Sequence, residues 1–210
     1  MPHSPKANRY NGCCQYLSES QTKGILREFP KAVYGHMFRC TENTLLAVES
    51  LPRNGVYTLV LFLSREISLK VGALGPRRFL RGYYTYTGSA LGLGASSLRH
   101  RVLRHLKTKR RRFWHIDYLL DHKTVYLTGL VAGATDTRVE CTINRYIKTK
   151  ENGQLLVSHF GASDCKKNCG SHLLYYPDIK EGKVLVEKIR VCYKTVLGGK
   201  RRVYAALLSQ

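Results

Sequence analysis

The densest apolar run in the chain is Val56, Tyr57, Leu59, Val60, Leu61, Phe62 and Leu63. Being nearly unbroken, it predicts a central strand covered on both faces. Ile67, Leu69 and Val71 then alternate with polar residues, as in a half-buried strand, and Gly-Ala-Leu-Gly-Pro over residues 72–76 is turn chemistry. A third strand is expected over residues 81–87, stopping at Gly88 and Ser89. At Leu98 the period changes. Leu98, Val102, Leu103 and Leu106 are spaced as one helical stripe, with Arg99, Arg101, Arg104, His105 and Lys107 elsewhere on the same basic helix. Residues 113–120 read as a short element carrying Trp114, His115 and Asp117, and residues 125–131 as a further strand. Residues 138–150 have helical spacing, with Val139, Ile143, Tyr146 and Ile147 on one side and Glu140 and Asn144 one turn apart on another. Residues 160–176, rich in Gly, Ser, Cys and His, read as irregular. After Asp178, Val184, Val186, Ile189, Val191 and Tyr193 are interspersed with charge, and Gly198-Gly199 is placed to turn a hairpin.

Residues 1–50 show no sustained period and read as a weakly ordered N-terminal extension. A start at Met37 would leave only a short leader before the organised region; a natural-protein peptide containing Cys13 would exclude it. Residues 177–210 form a basic C-terminal tail, a further contact surface for a polyanion.

Charge sharpens this picture. Thirty-five Lys and Arg stand against 14 Asp and Glu, a formal net charge of +21 over 210 residues, which makes a polyanion the natural partner. A ribosome-like or membrane-surface basic protein fits charge alone equally well. No stretch approaches transmembrane length, and residues 1–9 lead into no hydrophobic segment, so a cytoplasmic, reducing location with no membrane association is expected. The seven cysteines, Cys13, Cys14, Cys40, Cys141, Cys165, Cys169 and Cys192, are an odd and scattered set that argues against a disulfide framework.

Two phrases, Gly55-Val56-Tyr57 and Tyr86-Thr87-Gly88, each set a tyrosine near a glycine in strand-like surroundings, so two phenols could lie side by side on neighbouring strands. Alone, each tyrosine is more naturally a core ring. With Leu98-x-x-Arg101-x-x-x-His105 and Glu140 on a later helix, the order resembles the GIY-YIG nuclease superfamily. The phrases Gly82-Tyr-Tyr-Thr-Tyr-Thr-Gly-Ser-Ala90, Arg104-His-Leu106, Trp114-His-Ile-Asp-Tyr-Leu119, Glu140-Cys141 and Ser163-Asp-Cys165 to Ser171-His-Leu173 are similar to its stand-alone, Uri-type branch, also known as DUF123. The resemblance covers residues 51–176. It implies an α+β domain: a small, mainly antiparallel central sheet flanked by helices. Three departures stand out. The gap between the tripeptides is long, as is typical of that branch, Thr87 replaces an aliphatic residue, and the superfamily's final asparagine has no clear counterpart.

Phosphodiester hydrolysis needs an aligned, deprotonated water and positive charge on the non-bridging and leaving oxygens. Glu140, a hard carboxylate on a helix, is the best candidate ligand for Mg²⁺ or Mn²⁺, although a helical glutamate is ordinarily a solvated one. The resemblance singles out Arg101 for the scissile phosphate, where a forked guanidinium matches two oxygens. Tyr57 and Tyr86 are the candidate proton acceptors, and at an ordinary pKa near 10 either needs help at neutral pH. His105 and His115 could orient a tyrosine or water, or bind phosphate. Arg99, Arg104, Lys107, Lys109, Arg110, Arg111 and Arg112 form the expected nucleic-acid-binding set. Gly55 and Gly88 are expected to permit close backbone approach beside the tyrosines.

Cys165-x-x-x-Cys169-x-x-His172, with Cys141 beside Glu140, could supply four ligands to a structural Zn²⁺. The spacing is looser than paired Cys-x-x-Cys, and the thiols are read instead as small core groups.

The function implied by the resemblance is a metal-dependent endonuclease on DNA, single-stranded or structured, with RNA left open as a partner and a host role in DNA repair or in degradation of foreign DNA. The alternative is a non-catalytic nucleic-acid-binding protein with the same fold and basic surface. Such a binder needs the cations but not the carboxylate.

Overall fold

The computed structural model describes residues 42–199 and 201–208. The proposed start at Met37 and most of the N-terminal extension lie outside them. The order is α1 (Glu42–Glu49), β1 (Gly55–Leu63), β2 (Ile67–Lys70), β3 (Pro76–Phe79), β4 (Gly82–Ala90), α2 (Leu98–Leu106), α3 (His115–Leu120), β5 (Val125–Ala134), α4 (Glu140–Lys150), β6 (Leu173–Tyr176), α5 (Gly182–Leu197) and β7 (Val203–Leu207). Five strands form one sheet in the order β6-β4-β1-β5-β7 with every pairing antiparallel, while β2 and β3 make a separate two-stranded ribbon between β1 and β4. The fold is therefore α+β, as the resemblance implies.

Strand β1 lies at the centre because both its faces are apolar. Tyr57, Leu59, Leu61 and Leu63 join a core with α2, α3 and the ribbon, through Leu98, Val102, Leu106, Ile116, Leu119 and Phe79. Val56 and Val60 face the other way and meet Ile143 and Ile147 of α4 and Leu185, Val186, Ile189 and Tyr193 of α5. This period-two split gives the sheet a helical layer on each side.

Four expectations change. In place of the expected basic tail and hairpin of residues 177–210, the described residues there form α5, which covers one face of the sheet, and β7, which extends its edge. The buried positions Leu185, Val186, Ile189, Cys192 and Tyr193 recur with helical spacing, which the β-branched residues between them obscure. Gly198, at φ 74°, ends that helix and starts the turn into β7. Within the 1–50 extension, Glu42–Glu49 is helical, and Val48 joins the core. Leu173–Tyr176, inside the expected irregular region, is a wholly buried strand paired with β4. Finally, β4 continues through Gly88 instead of stopping there, because Gly88 pairs with Tyr57 and leaves room for its ring.

Two glycines on β5 set how closely α5 approaches. A Cβ at Gly129 would collide with Val186 Cγ2, and one at Gly133 with Leu197 Cδ1. Gly129→Ala should cost about 1–3 kcal/mol as an overpacked core position, read as a lower urea midpoint at unchanged slope. An unchanged midpoint would mean that α5 yields freely.

Candidate functional site

Tyr57 and Gly88 are cross-strand partners, and Tyr86 pairs with Leu59, so the two tyrosines lie diagonally on one face of adjacent strands. The expected side-by-side arrangement is present. A Cβ on Gly88 would stand 2.8 Å from the Tyr57 hydroxyl, and one on Gly161 would stand 2.6 Å from the Tyr86 ring. Each phenol is thus seated against a bare backbone. Gly55 is likewise close to the Gly133 carbonyl and Leu98.

Helix α2 brings its functional groups beneath this face. Ser97 caps it, its hydroxyl accepting from the His100 backbone N–H and bonding His100 Nδ1 at 2.8 Å. His105 was expected off the apolar stripe, but it lies seven residues after Leu98 and is buried on that stripe. Its Nε2 is 2.9 Å from the Tyr57 hydroxyl. Its Nδ1 has no hydrogen bond and is 3.9 Å from Asp117 Oδ1. With the ring proton on Nδ1, facing this carboxylate, Nε2 accepts and the phenol donates.

Asp117 is fully buried and is the residue that the sequence reading missed. Its two oxygens take a forked pair of bonds from Arg104, both 2.8 Å, and Oδ2 also accepts from the backbone N–H groups of Phe113 and Trp114. The signal was its place at the third position of α3, where a carboxylate reaches back to the helix start. Arg101 donates to the Ser89 carbonyl at 2.7 Å and, with Arg104, lies against the Trp114 ring at 4.7 and 4.3 Å. Its Nε is buried without a partner.

Burial governs the electrostatics. It pushes the Tyr57 phenol well above its ordinary value, and Tyr86 adds to this while Arg101 opposes it. Tyr86 is raised by burial too, again against Arg101. Burial drives His105 far below its ordinary value despite Asp117, so the imidazole is neutral. At Asp117, burial works upward, but the hydrogen bonds from Arg104, Trp114 and Phe113 outweigh it and hold the carboxyl below its usual range. His115 is half-buried and lowered by burial, and its Nδ1 accepts the Gly161 N–H at 3.0 Å. It therefore positions the loop over Tyr86.

Glu140 makes no hydrogen bond or ion pair with this group. It opens α4, and its charge is felt by His172. The two neighbourhoods meet along the β4–β6 edge: Tyr86 pairs with Leu173, the Thr87 N–H donates to the His172 carbonyl, and Asp164 acts on both Tyr86 and His172. Glu140 Oε2 is buried and unpartnered. One turn on, Asn144 donates to the Ser171 carbonyl, leaving its Oδ1 equally buried and unpartnered. Glu140 Oε2 and Asn144 Oδ1 are thus two orphaned hard oxygens one turn apart on α4, the atoms that could hold a small divalent cation. Beside them, the sulfurs of Cys141, Cys165 and Cys169 and a His172 nitrogen all lie within 4.8 Å of one another.

The expected nucleic-acid-binding cations divide. Arg104 is committed to Asp117, Arg99 pairs with Glu49, and Arg112 pairs with Asp121 at 2.9 Å. Arg110 donates to the Lys107 carbonyl and is 3.6 Å from Asp121. Lys107, Lys109 and Arg111 are exposed without a carboxylate partner among the described residues. Phe113, 76 % exposed, stands immediately beyond them.

These features define a class: an antiparallel α+β domain with a buried Tyr-His-Asp-Arg network under its central strands and a carboxylate at the start of α4. The family model for Domain of unknown function DUF123 matches residues 56–194, and the chain belongs to that family. The match runs into α5 as far as residue 194. No curated protein and no solved structure matches the chain. No helix among the described residues is long and apolar enough to cross a membrane.

Proposed function

We propose that this protein is a GIY-YIG-type, divalent-metal-dependent endonuclease that hydrolyses DNA phosphodiesters. The observation that carries the reading is the 2.9 Å contact of Tyr57 with His105, backed by Asp117 and flanked by Arg101. A buried phenol is a poor base alone. With His105 Nε2 accepting, Tyr57 can pass its own proton inward while taking one from an attacking water, so an isolated phenolate need not form. Asp117 Oδ1, 3.9 Å from His105 Nδ1 and not hydrogen-bonded to it, favours the accepting tautomer and the charged imidazole through its negative charge. Arg101 is fixed by the Ser89 carbonyl and Trp114, which leaves guanidinium donors for phosphate oxygens. Glu140, with Asn144, would hold a cation that supplies positive charge to the non-bridging and leaving oxygens. The exposed Lys107, Lys109 and Arg111 steer the polyanion.

The burial of both tyrosines favours a second reading, a nucleic-acid-binding protein in which they are only core. Labelled single-stranded, duplex and branched DNA, and RNA, incubated with and without Mg²⁺ or Mn²⁺, separate the two. Cation-dependent cleavage of DNA is expected, reduced at least 10²-fold in Tyr57→Phe, consistent with loss of a positioned general base. Binding without cleavage by the parent protein would favour the second reading.

A further inference from the structure

We infer that Cys141, Cys165, Cys169 and His172 form a tetrahedral Zn²⁺ site that fastens the loop over residues 151–172 to the first turn of α4. This does not rest on the proposed nuclease activity.

The ligand set is complete. Each residue offers one atom, and all four atoms fall within 4.8 Å of one another. Cys141 Sγ lies 3.4 Å from Cys165 Sγ and 3.6 Å from His172 Nε2. A tetrahedral zinc with ordinary bond lengths sets its sulfurs about 3.8 Å apart and sulfur from nitrogen about 3.5 Å. Small movements would bring these atoms onto that geometry. Cys141, Cys169 and His172 are buried and Cys165 is partly exposed, so the centre is shielded by protein with a path for the ion. Three thiolates and a neutral imidazole form a closed N/S set of the structural kind, with no position left for water.

The backbone is bent to bring these groups together. His159, Gly161, Asn168 and Gly170 all have positive φ, of 61°, 66°, 50° and 74°. Two of them are not glycine, and such conformations persist where the surroundings over-determine them. Hydrogen bonds hold the segment at several points: His159 N–H to the Gly170 carbonyl, His172 N–H to the Phe160 carbonyl and Cys165 N–H to the Ala162 carbonyl. Yet Val157, Phe160, Ala162 and Cys169 are its main buried apolar side chains. Beyond the bridge of Gln154 to Tyr175 this long connection has no helix or strand, and a four-ligand ion adds to its order.

The loop carries Gly161, which seats Tyr86, and Asp164, while Cys141 directly follows Glu140. The same ion therefore holds Glu140 and the cover of Tyr86 in one arrangement. Here the thiolates and imidazole take zinc, whereas the Glu140 and Asn144 oxygens suit a hard cation.

Full-length protein purified under reducing conditions, stripped with chelator and reloaded with Zn²⁺, is expected to retain one zinc per chain by elemental analysis. The Co²⁺-loaded protein should show the absorption of a tetrahedral cobalt–thiolate centre. Cys165→Ser, at a partly exposed loop position, should lose the stoichiometric ion, whereas His172→Cys should keep it in a four-thiolate set. Glu140→Gln should also keep it, which separates this site from the hard-cation site. Chelation should lower the unfolding midpoint of the parent but not that of Cys165→Ser. Failure of the reduced, folded parent to bind zinc, or retention of full zinc by Cys165→Ser, overturns the assignment.

Discussion

Glu140→Ala is expected to lower DNA cleavage by roughly 10³-fold or more, because the several kcal/mol that a cation contributes to the transition state correspond to about three powers of ten. DNA affinity should change little. Glu140 makes no hydrogen bond or ion pair with the described cations, and removing one negative charge from a chain of net +21 does not weaken polyanion binding. Single-turnover cleavage and a binding titration at one salt concentration give both numbers. Equal cleavage by mutant and parent would refute the carboxylate's role. A fall in affinity matching the fall in rate would point to local collapse of α4, and Glu140→Gln, which retains the shape, then decides between the two. Because Cys141 is the adjacent residue, zinc content should be measured on the same samples.

Much of the fold was legible along the chain because β1 and α2 are governed by burial. A strand covered on both faces reads as the unbroken run from Val56 to Leu63, and Leu98, Val102 and Leu106 mark the stripe of α2. What sequence pattern obscured were elements whose environment contradicts their composition. Helix α5 is rich in valine and is stabilised by the close approach that Gly129 and Gly133 permit, a tertiary effect that overrides local preference. The short strand β6 consists of four buried residues whose partner, β4, lies far away in the chain.

The site divides in the same way. Tyr57, Tyr86 and Arg101 fell together because they sit on adjacent strands and the next helix. His105 was misplaced to the polar side, since a histidine on an apolar stripe reveals itself only through the partner that it finds there. Asp117 was passed over, although its network holds the basic helix to α3. Arg99, Arg104 and Arg112, read as nucleic-acid contacts, each pair with a carboxylate, which composition cannot distinguish from solvated charge.

Asp117→Asn should destabilise the fold by about 3 kcal/mol, near the lower end for breaking a buried ion pair, because Arg104 keeps partial access to water. The nearly isosteric amide removes the charge that faces Arg104 and sets an NH₂ group where the Arg104 fork or the Phe113 and Trp114 N–H groups now find an oxygen. Adding Arg104→Met should recover part of the loss, since an apolar partner leaves no unpaired cation. Acid should act on the same network. Asp117 has a folded pKa below its ordinary 3.8, so its contribution is complete above that value and is lost as pH falls through the folded one. His105 is depressed from 6.5 to about 3, so the unfolded chain takes up a proton over that interval and the folded chain does not. Both groups therefore make stability fall with pH, His105 from about 6.5 downward and Asp117 only below about 4. Urea midpoints measured between pH 7.5 and 4, a window set by these pKa values, should decline in the parent. His105→Gln should decline less steeply, while Asp117→Asn starts lower. Should the parent and Asp117→Asn share one midpoint across this range, the buried Arg104–Asp117 pair would not be what joins α2 to α3.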